Sequence, residues 1–259
     1  MLAVGEQGTA RLRLVDSIFG EATRQFLLAC GLSPGWRVAE IGCGAGLVSL
    51  WMAELGASVI AVDGKAAQIE TASRYAREVG ISKIEFRAAD AYETGLPRGA
   101  FDLVYSRFLM CHLHDPVRAM REMHALLKPG GVLACEDYDQ QSVTSEPLSD
   151  AYTRLNEVSN GMDEVFGVNS WDIGSRLGEL VAEAGFETPE VRVQQHAFHR
   201  GGEKRLWELT LQEARPAIVE HGVAPSEELD RICGELRRIA EDESVLVIVA
   251  CVTQVCARK

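Results

Sequence analysis

The first half of the chain alternates between two hydrophobic periods. Short apolar runs of strand length stand at Arg37 to Ile41, Ser58 to Val62, Lys83 to Arg87, Phe101 to Tyr105 and Val132 to Glu136. Stretches with helical spacing lie between them, at Ala45 to Leu55, Lys65 to Val79 and Pro116 to Leu127. A longer helix over Leu12 to Cys30 precedes the first strand, with Leu14, Ile18, Phe26, Leu27 and Cys30 on one face. Breakers separate the elements: Gly31 with Ser33-Pro34-Gly35, then Gly56, Gly80, Gly95 to Gly99 and Lys128 to Gly131. Strand and helix alternating this closely predict right-handed βαβ units and a parallel sheet with helices on both faces. Strands that are apolar at most positions suit a sheet covered on both sides.

The rhythm changes after residue 139. Helices are predicted over Asp150 to Val165, Ile173 to Ala184, Glu203 to His221 and Ser226 to Asp242. Strands are predicted over Glu190 to His196 and Val245 to Cys256. The expected architecture is a doubly wound, Rossmann-like α/β fold. Its seven-stranded sheet is mostly parallel, with the last strand antiparallel and lid helices inserted late. One domain over residues 1–259 is expected, with an N-terminal helix over 9–30, a core over 36–139 and lid insertions over 140–171 and 200–242.

Composition narrows the class. A 47% apolar fraction is that of a globular protein. The net charge of -12 disfavours phosphate backbones, so no nucleic-acid partner is expected. The seven cysteines are odd in number, irregularly spaced and without a Cys-x-x-Cys pair. They read as reduced thiols of a cytoplasmic protein. No apolar run approaches the ~20 residues of a membrane span, and the N-terminus lacks signal-peptide character, so no membrane association is expected.

The chemistry concentrates at VAEIGCGAG, Val38 to Gly46, where Gly42, Gly44 and Gly46 follow the first strand. Ligands of open α/β sheets sit at the carboxyl ends of the strands, and glycines there let a ligand press on the main chain. Asp63 ends the second strand about 20 residues later, the spacing at which an acid grips ribose hydroxyls. The site is therefore expected to hold a nucleoside. The dinucleotide spacing G-x-G-x-x-G is absent, and Glu40 beside the loop disfavours a pyrophosphate. A ligand carrying an ammonium and a sulfonium suits it.

VAEIGCGAG followed by VIAVD resembles the class I S-adenosylmethionine (SAM)-dependent methyltransferases. RAADAYE (87–93), FDLVYSRFLMCHLHDP (101–116) and LLKPGGVLACEDYD (126–139) continue the resemblance in the family's order and spacing. The UbiE-like small-molecule methyltransferases look nearest in type, and inserted helices near the substrate are common among them. The resemblance implies SAM as cofactor, S-adenosylhomocysteine as product, and a methyl transfer to O, N or C of a small molecule, natural-product biosynthesis included. It implies that Glu40, Gly42, Cys43, Gly44 and Gly46 face the methionine part and ribose. Asp63 would hold the ribose, with Gly64 beside the adenine. Asp90 and Ala91 would read the adenine edge, and Ser106 and Arg107 would lie at the methionine end. Arg11 is the candidate for the SAM carboxylate, with Arg13 as alternative. Lys65 and Gln68 depart from the residues more usual in the family. A homodimer is compatible with this type.

Polar residues after strands four and five are the candidate proton acceptors: Arg107, His112, His114, Glu136, Asp137, Tyr138 and Asp139. His112 and Asp137 rank first as catalytic candidates, and His196 and His199 are further ones. Phe166, Trp171, Phe198 and Trp207 are candidates to line a lid over an apolar substrate. No metal is expected, since His112-x-His114 does not converge on a helix and no other His/Cys cluster has zinc spacing. Three rival readings remain: a SAM-binding enzyme of this fold running a non-methylating pericyclic or decarboxylative reaction, a nicotinamide-dependent oxidoreductase, and a non-catalytic binding subunit. The glycine spacing opposes the second, and the intact motif set opposes the third. Ser106-Arg107-Phe108-Leu109 after strand four also lacks the Asn/Asp-Pro-Pro-aromatic motif of nucleic-acid base methyltransferases.

Overall fold

The computed structural model describes residues 6–168 and 172–259. Helix α1 (Glu6–Ala29) leads into β1 (Arg37–Ile41), α2 (Leu47–Glu54), β2 (Ser58–Asp63), α3 (Ala66–Glu78) and β3 (Ile84–Ala88). Next come β4 (Phe101–Arg107), α4 (Pro116–Leu126), β5 (Leu127–Asp139), β6 (Thr144–Glu146), α5 (Asp150–Phe166) and α6 (Ile173–Glu183). The chain ends with β7 (Glu187–Gln194), β8 (Ala197–Phe198), α7 (Leu206–Glu220), α8 (Ser226–Glu241), β9 (Leu246–Ile248) and β10 (Cys251–Arg258).

Seven strands form one sheet in the order β3-β2-β1-β4-β5-β10-β7. The five strands from β3 to β5 run parallel, and β10 is antiparallel to both β5 and β7. This is the doubly wound, mostly parallel sheet expected from the strand–helix alternation.

Alternation within each strand decides which helices cover which face. Val38, Val59, Ala61, Leu103 and Tyr105 point to a core shared with the C-terminal half of α1 and with α2. Ala39, Ile41, Ile60, Val62 and Val104 point the other way, onto α4 and α6. Helix starts follow capping chemistry. Asp115 caps α4, accepting from the Arg118 amide at 2.9 Å with Pro116 in the first turn, and Ser149 caps α5 through the Ala151 amide at 3.1 Å.

A third core stands over one end of the sheet. Helices α5, α7 and α8 pack there with Val15, Ile18 and Phe19 of α1 and with Val247, Val249 and Val252. Buried charges fasten this cap. The Lys204 amine donates to the carbonyls of His199, Asp242 and Val245 at 3.1, 2.6 and 2.9 Å, tying the start of α7 to the loop after α8. The Glu208 carboxylate, fully buried, bridges Arg205 and Arg237.

The run Val245 to Cys256, predicted as one strand, is two. β9 pairs with β6 and β8 in a separate three-stranded sheet, and β10 joins the main one. Val249 and Ala250 make the crossing, both buried. The Val249 amide donates to the His196 carbonyl, and the Cys251 amide donates to the Ser142 hydroxyl at 2.7 Å. An apolar run stays apolar across the switch because one sheet or the other buries each residue, so periodicity cannot mark it. The strands β6 and β8, of three and two residues, are too short for alternation to mark them. Among the described residues, no helix is long and apolar enough to cross a membrane.

Candidate functional site

The carboxyl ends of β1, β2 and β4 open into a cavity of about 690 Å³ closed by α1, α5 and α7. Its floor is the turn after β1. Gly42, Gly44 and Gly46 have φ of 79°, 53° and 74°, angles that side-chain-bearing residues rarely adopt. The Gly42 and Cys43 amides donate to the Val62 carbonyl, which lashes the turn to β2. Gly42, Cys43 and Gly44 line the cavity. Gly46 does not. It starts α2, and a Cβ there would stand 2.7 Å from the Phe86 ring, so its bareness serves helix–sheet packing.

Asp63 lines the cavity at the end of β2. One carboxylate oxygen accepts from the Gly44 amide and the other from the Lys65 amide, both at 2.9 Å. Each oxygen retains a lone pair for a further donor. Glu40 is buried in the same wall, bonded by the Ser49 hydroxyl, and burial pushes its pKa up to about 7. Gly64, Lys65 and Gln68 complete this end, and the Gln68 Oε1 is buried without a hydrogen-bond partner. A carboxylate pair, bare backbone and an orphaned amide oxygen form a donor-seeking, cation-tolerant pocket. That chemistry fits the ribose diol, ammonium and adenine amino group of SAM.

Arg11, Arg107 and His112 also line the cavity. Arg11 is ion-paired with Glu213 of α7 at 2.8 Å. Arg107 donates to Thr23 at 3.1 Å, lies 3.5 Å from the Asp16 carboxylate and sits over the Phe108 ring at 5.6 Å. His112 faces the cavity, and the surrounding protein, with the charges of Lys65 and Arg11, lowers its pKa to about 4. It is neutral at pH 7. His114 is also in the wall, and its Nδ1 donates to the Gly167 carbonyl at 3.2 Å.

Other sequence candidates stand apart. Ser106 is buried against the Cys135 thiol at 3.4 Å. Asp90 is exposed, its Oδ1 accepting from the Tyr92 amide at 2.8 Å, and neither it nor Ala91 is among the lining residues. Asp137 is fully buried off the cavity. It accepts from the amides of Cys111 at 3.2 Å and Tyr138 at 3.0 Å, and burial pushes its pKa up to about 7. That position fastens the turn after β4 to β5. Glu136 is buried beneath Tyr105, Thr23 and Gln254, all of which donate to it. Asp139 caps the turn after β5 through the Gln141 amide. Arg13 lies over the Tyr75 ring at 5.8 Å. His196 lies against Phe19 and Phe198, and His199 gives its carbonyl to Lys204. Phe166 and Trp207 line the cavity and Phe198 does not, while Trp171 lies outside the described residues.

Of the cavity's aromatic wall, Tyr138 and Trp207 were sequence candidates, while Phe19 and Phe108 were not. Phe19, Phe108, Tyr138 and Trp207 all line the cavity. They form a chain of edge-to-face contacts, with centroids 5.4, 5.3 and 6.3 Å apart. Phe108 adopts φ 54°, a conformation costing a bulky residue about 1–3 kcal/mol. Ser159 and Asp163 of α5 and Thr210 of α7 also reach the cavity. The signal of the two on α5 was in the sequence, as polar residues at helical spacing within the apolar stripe of Leu155, Val158, Met162 and Phe166.

A parallel sheet with its glycine turn and paired acids at the carboxyl ends is the arrangement with which open α/β folds receive nucleotide-like ligands. Residues 39–135 match the family model described as a methyltransferase domain. The chain is 30% identical over 169 residues to phosphoethanolamine N-methyltransferase 3 of Arabidopsis thaliana, covering 64% of this chain and 32% of that protein. It is 37% identical over 161 residues to the ubiquinone biosynthesis O-methyltransferase of Ruegeria pomeroyi, covering 59% of this chain and 60% of that protein. The chain thus spans about a third of the first relative and three-fifths of the second. A Bacillus halodurans structure described as a methyltransferase superposes with a TM-score of 0.62 at 20% identity, covering 91% of this chain and 97% of that one. Over residues 39–135 the chain is thus similar to methyltransferase domains.

Proposed function

We propose that the protein transfers a methyl group from SAM to a small-molecule acceptor. The observation that carries this reading is the convergence of Glu40, the Gly42–Gly44 turn and Asp63 on one cavity capped by α1, α5 and α7. Asp63 would take the ribose hydroxyls on its remaining lone pairs. Glu40 would face the ammonium, and the Gly42, Cys43 and Gly44 backbone would lie along the methionine part. Gln68 would accept from the adenine amino group, with Gly64 beside the ring and Asp90 and Ala91 bordering that side. Arg11 and Arg107 are the cations near enough to answer a carboxylate.

Bound SAM would supply a methyl on a sulfonium, an already activated donor. The protein's share is alignment and exclusion of water. The cap supplies both, since its helices wall the cavity. His112 would receive the acceptor's proton, being neutral at pH 7 and open to the cavity. The seven free thiols support a cytoplasmic setting, and the acidity supports a partner set without nucleic acid. The match to methyltransferases favours methyl transfer over a non-methylating use of SAM.

Calorimetric titration with S-adenosylhomocysteine and NADH tests the cofactor. Binding of the first alone, weakened roughly 10–100-fold in Asp63→Ala by loss of a charged hydrogen-bond acceptor, is the expected result. Binding of NADH alone would overturn the reading.

A further inference from the structure

Arg11 and Arg107 both line the cavity, but their guanidiniums are committed differently. Arg107 is engaged at its tip. Its Nη1 donates to the Thr23 hydroxyl at 3.1 Å, its Nη2 lies 3.5 Å from an Asp16 carboxylate oxygen, and the group sits over the Phe108 ring. Arg11 is held at its inner nitrogen. Its Nε donates to the Glu213 carboxylate of α7 at 2.8 Å, and among the described residues its Nη1 and Nη2 have no hydrogen-bond or ion-pair partner. A guanidinium presents its donors in a rigid fork, so a bond at Nε leaves the Nη edge open to a second carboxylate, taken bidentately.

The surroundings fix both the place and the pair. Arg11 lies on the turn of α1 that packs against the glycine loop: a Cβ at Gly44 would stand 3.5 Å from the side chain of its neighbour Leu12. The Arg11 and Glu213 side chains are 13% and 9% exposed, so neither is free to wander in solvent. Among the described residues, Arg11 is the one cation on the Glu213 carboxylate. A buried pair of this kind adds little stability over apolar side chains of the same volume. Its effect is on where the arginine points.

We propose that Glu213 is a positioning residue for the cofactor, holding Arg11 by Nε so that the Nη edge receives the carboxylate of SAM. This rests on the reading of the cavity as a SAM site. It makes α7, a helix of the cap, part of cofactor recognition, although Glu213 is not among the described lining residues.

The test is calorimetric titration with S-adenosylhomocysteine and with S-adenosyl-3-thiopropylamine, which differ only in the carboxylate. The unaltered protein should prefer the first by about 10–100-fold, the worth of charge-assisted hydrogen bonds, and Arg11→Met should abolish that preference. Glu213→Met should lower S-adenosylhomocysteine affinity by about two- to tenfold, through the ordering of a released arginine, and leave the decarboxylated ligand within about twofold. Glu213→Gln, whose amide oxygen still accepts from Nε, should recover most of that loss. In an Arg11→Met background, Glu213→Met should change neither affinity. A preference that survives Arg11→Met would overturn the inference even if Glu213→Met fails to fold. Equal losses for both ligands in Glu213→Met would reduce Glu213 to a fastener of α1 to α7, and tighter S-adenosylhomocysteine binding would make it a competitor of the ligand. Either result, or an unchanged affinity, would overturn the inference while leaving the cofactor reading intact. Failure of S-adenosylhomocysteine to bind the unaltered protein would overturn both.

Discussion

The half of the sheet that carries the glycine turn and the helical cap meet across one cavity but are held by different forces. In the first, backbone does the positioning: parallel strands, glycine turns and the Asp63 carboxylate bonded to two amides. In the cap, side chains do it. Lys204 ties three carbonyls, Glu208 bridges two arginines, and Glu213 of α7 meets Arg11 of α1. Backbone positioning tolerates little change in sequence but leaves recognisable motifs. Side-chain positioning can be rebuilt from many residue types, so it leaves few. The same division suits a constant cofactor and a variable acceptor.

Two glycines break the comparison most sharply. Gly46 and Gly222 both have positive φ, 74° and 69°. A Cβ at Gly46 would meet the Phe86 ring at 2.7 Å and Ala72 at 3.2 Å, whereas nothing lies within 4 Å at Gly222. Gly46→Ala should cost about 3–4 kcal/mol, combining left-handed backbone with overpacking. Gly222→Ala should cost only about 1–2 kcal/mol, the backbone share alone. Denaturant unfolding of the two variants measures this, and equal losses would sink the distinction between the halves.

The difference in forces also explains what the sequence disclosed. The predicted edges of β1, β2, α3, α4 and α6 lie within a residue or two of the observed ones, because glycine or proline ends each element and apolar period fills it. The glycine turn and Asp63 were legible because spacing alone brings them together. Side-chain direction was not legible. Asp137 and Ser106 stand at strand ends beside cavity residues, yet each points into packed structure where an amide or thiol meets it. Nor was the aromatic wall as a whole: Trp207 stood among the lid candidates and Tyr138 among the polar ones, but Phe19 and Phe108 did not, and Phe108 depends on an unusual φ. The split of Val245 to Cys256 escaped for the reverse reason, since burial was continuous where pairing was not.

pH should separate the halves by sign. Burial raises the pKa of Glu40 from 4.5 and of Asp137 from 3.8, each to about 7. Such groups favour folding below their unfolded pKa, and that contribution is lost as pH rises through 7. Glu208 is opposite. Burial alone would raise its pKa, but the hydrogen bonds from Arg205 and Arg237 outweigh it and hold the carboxyl below its ordinary value. Its contribution is present above the unfolded pKa and fades as pH falls through the lowered one. Glu40→Gln should therefore flatten the decline in stability between pH 5 and 8 by roughly 2–3 kcal/mol. Glu208→Gln should cost about 1–2 kcal/mol at pH 8, less than a fully buried pair because both arginines are half exposed, and less still at pH 4. Unfolding curves at pH 4, 5 and 8 read both, and parallel pH profiles for the two variants would contradict the assignment.

The smallest effect sharpens what fastening means within the cap. Arg154 of α5 pairs with Glu157 on its own helix and with Glu228 on α8, the same kind of link between elements that Glu208 makes. Its side chain is 50% exposed, where the Glu208 carboxylate is fully buried. Water solvates the guanidinium in either state, and fixing a long side chain in one geometry offsets most of the Coulomb gain. Arg154→Met should therefore change stability by no more than about 0.5 kcal/mol, and by less at 0.5 M salt, where the Debye length shrinks. It retains the aliphatic stem, so lost packing does not confuse the reading. A loss comparable to that of Glu208→Gln would mean that the cap is held by its surface charges as much as by its buried ones.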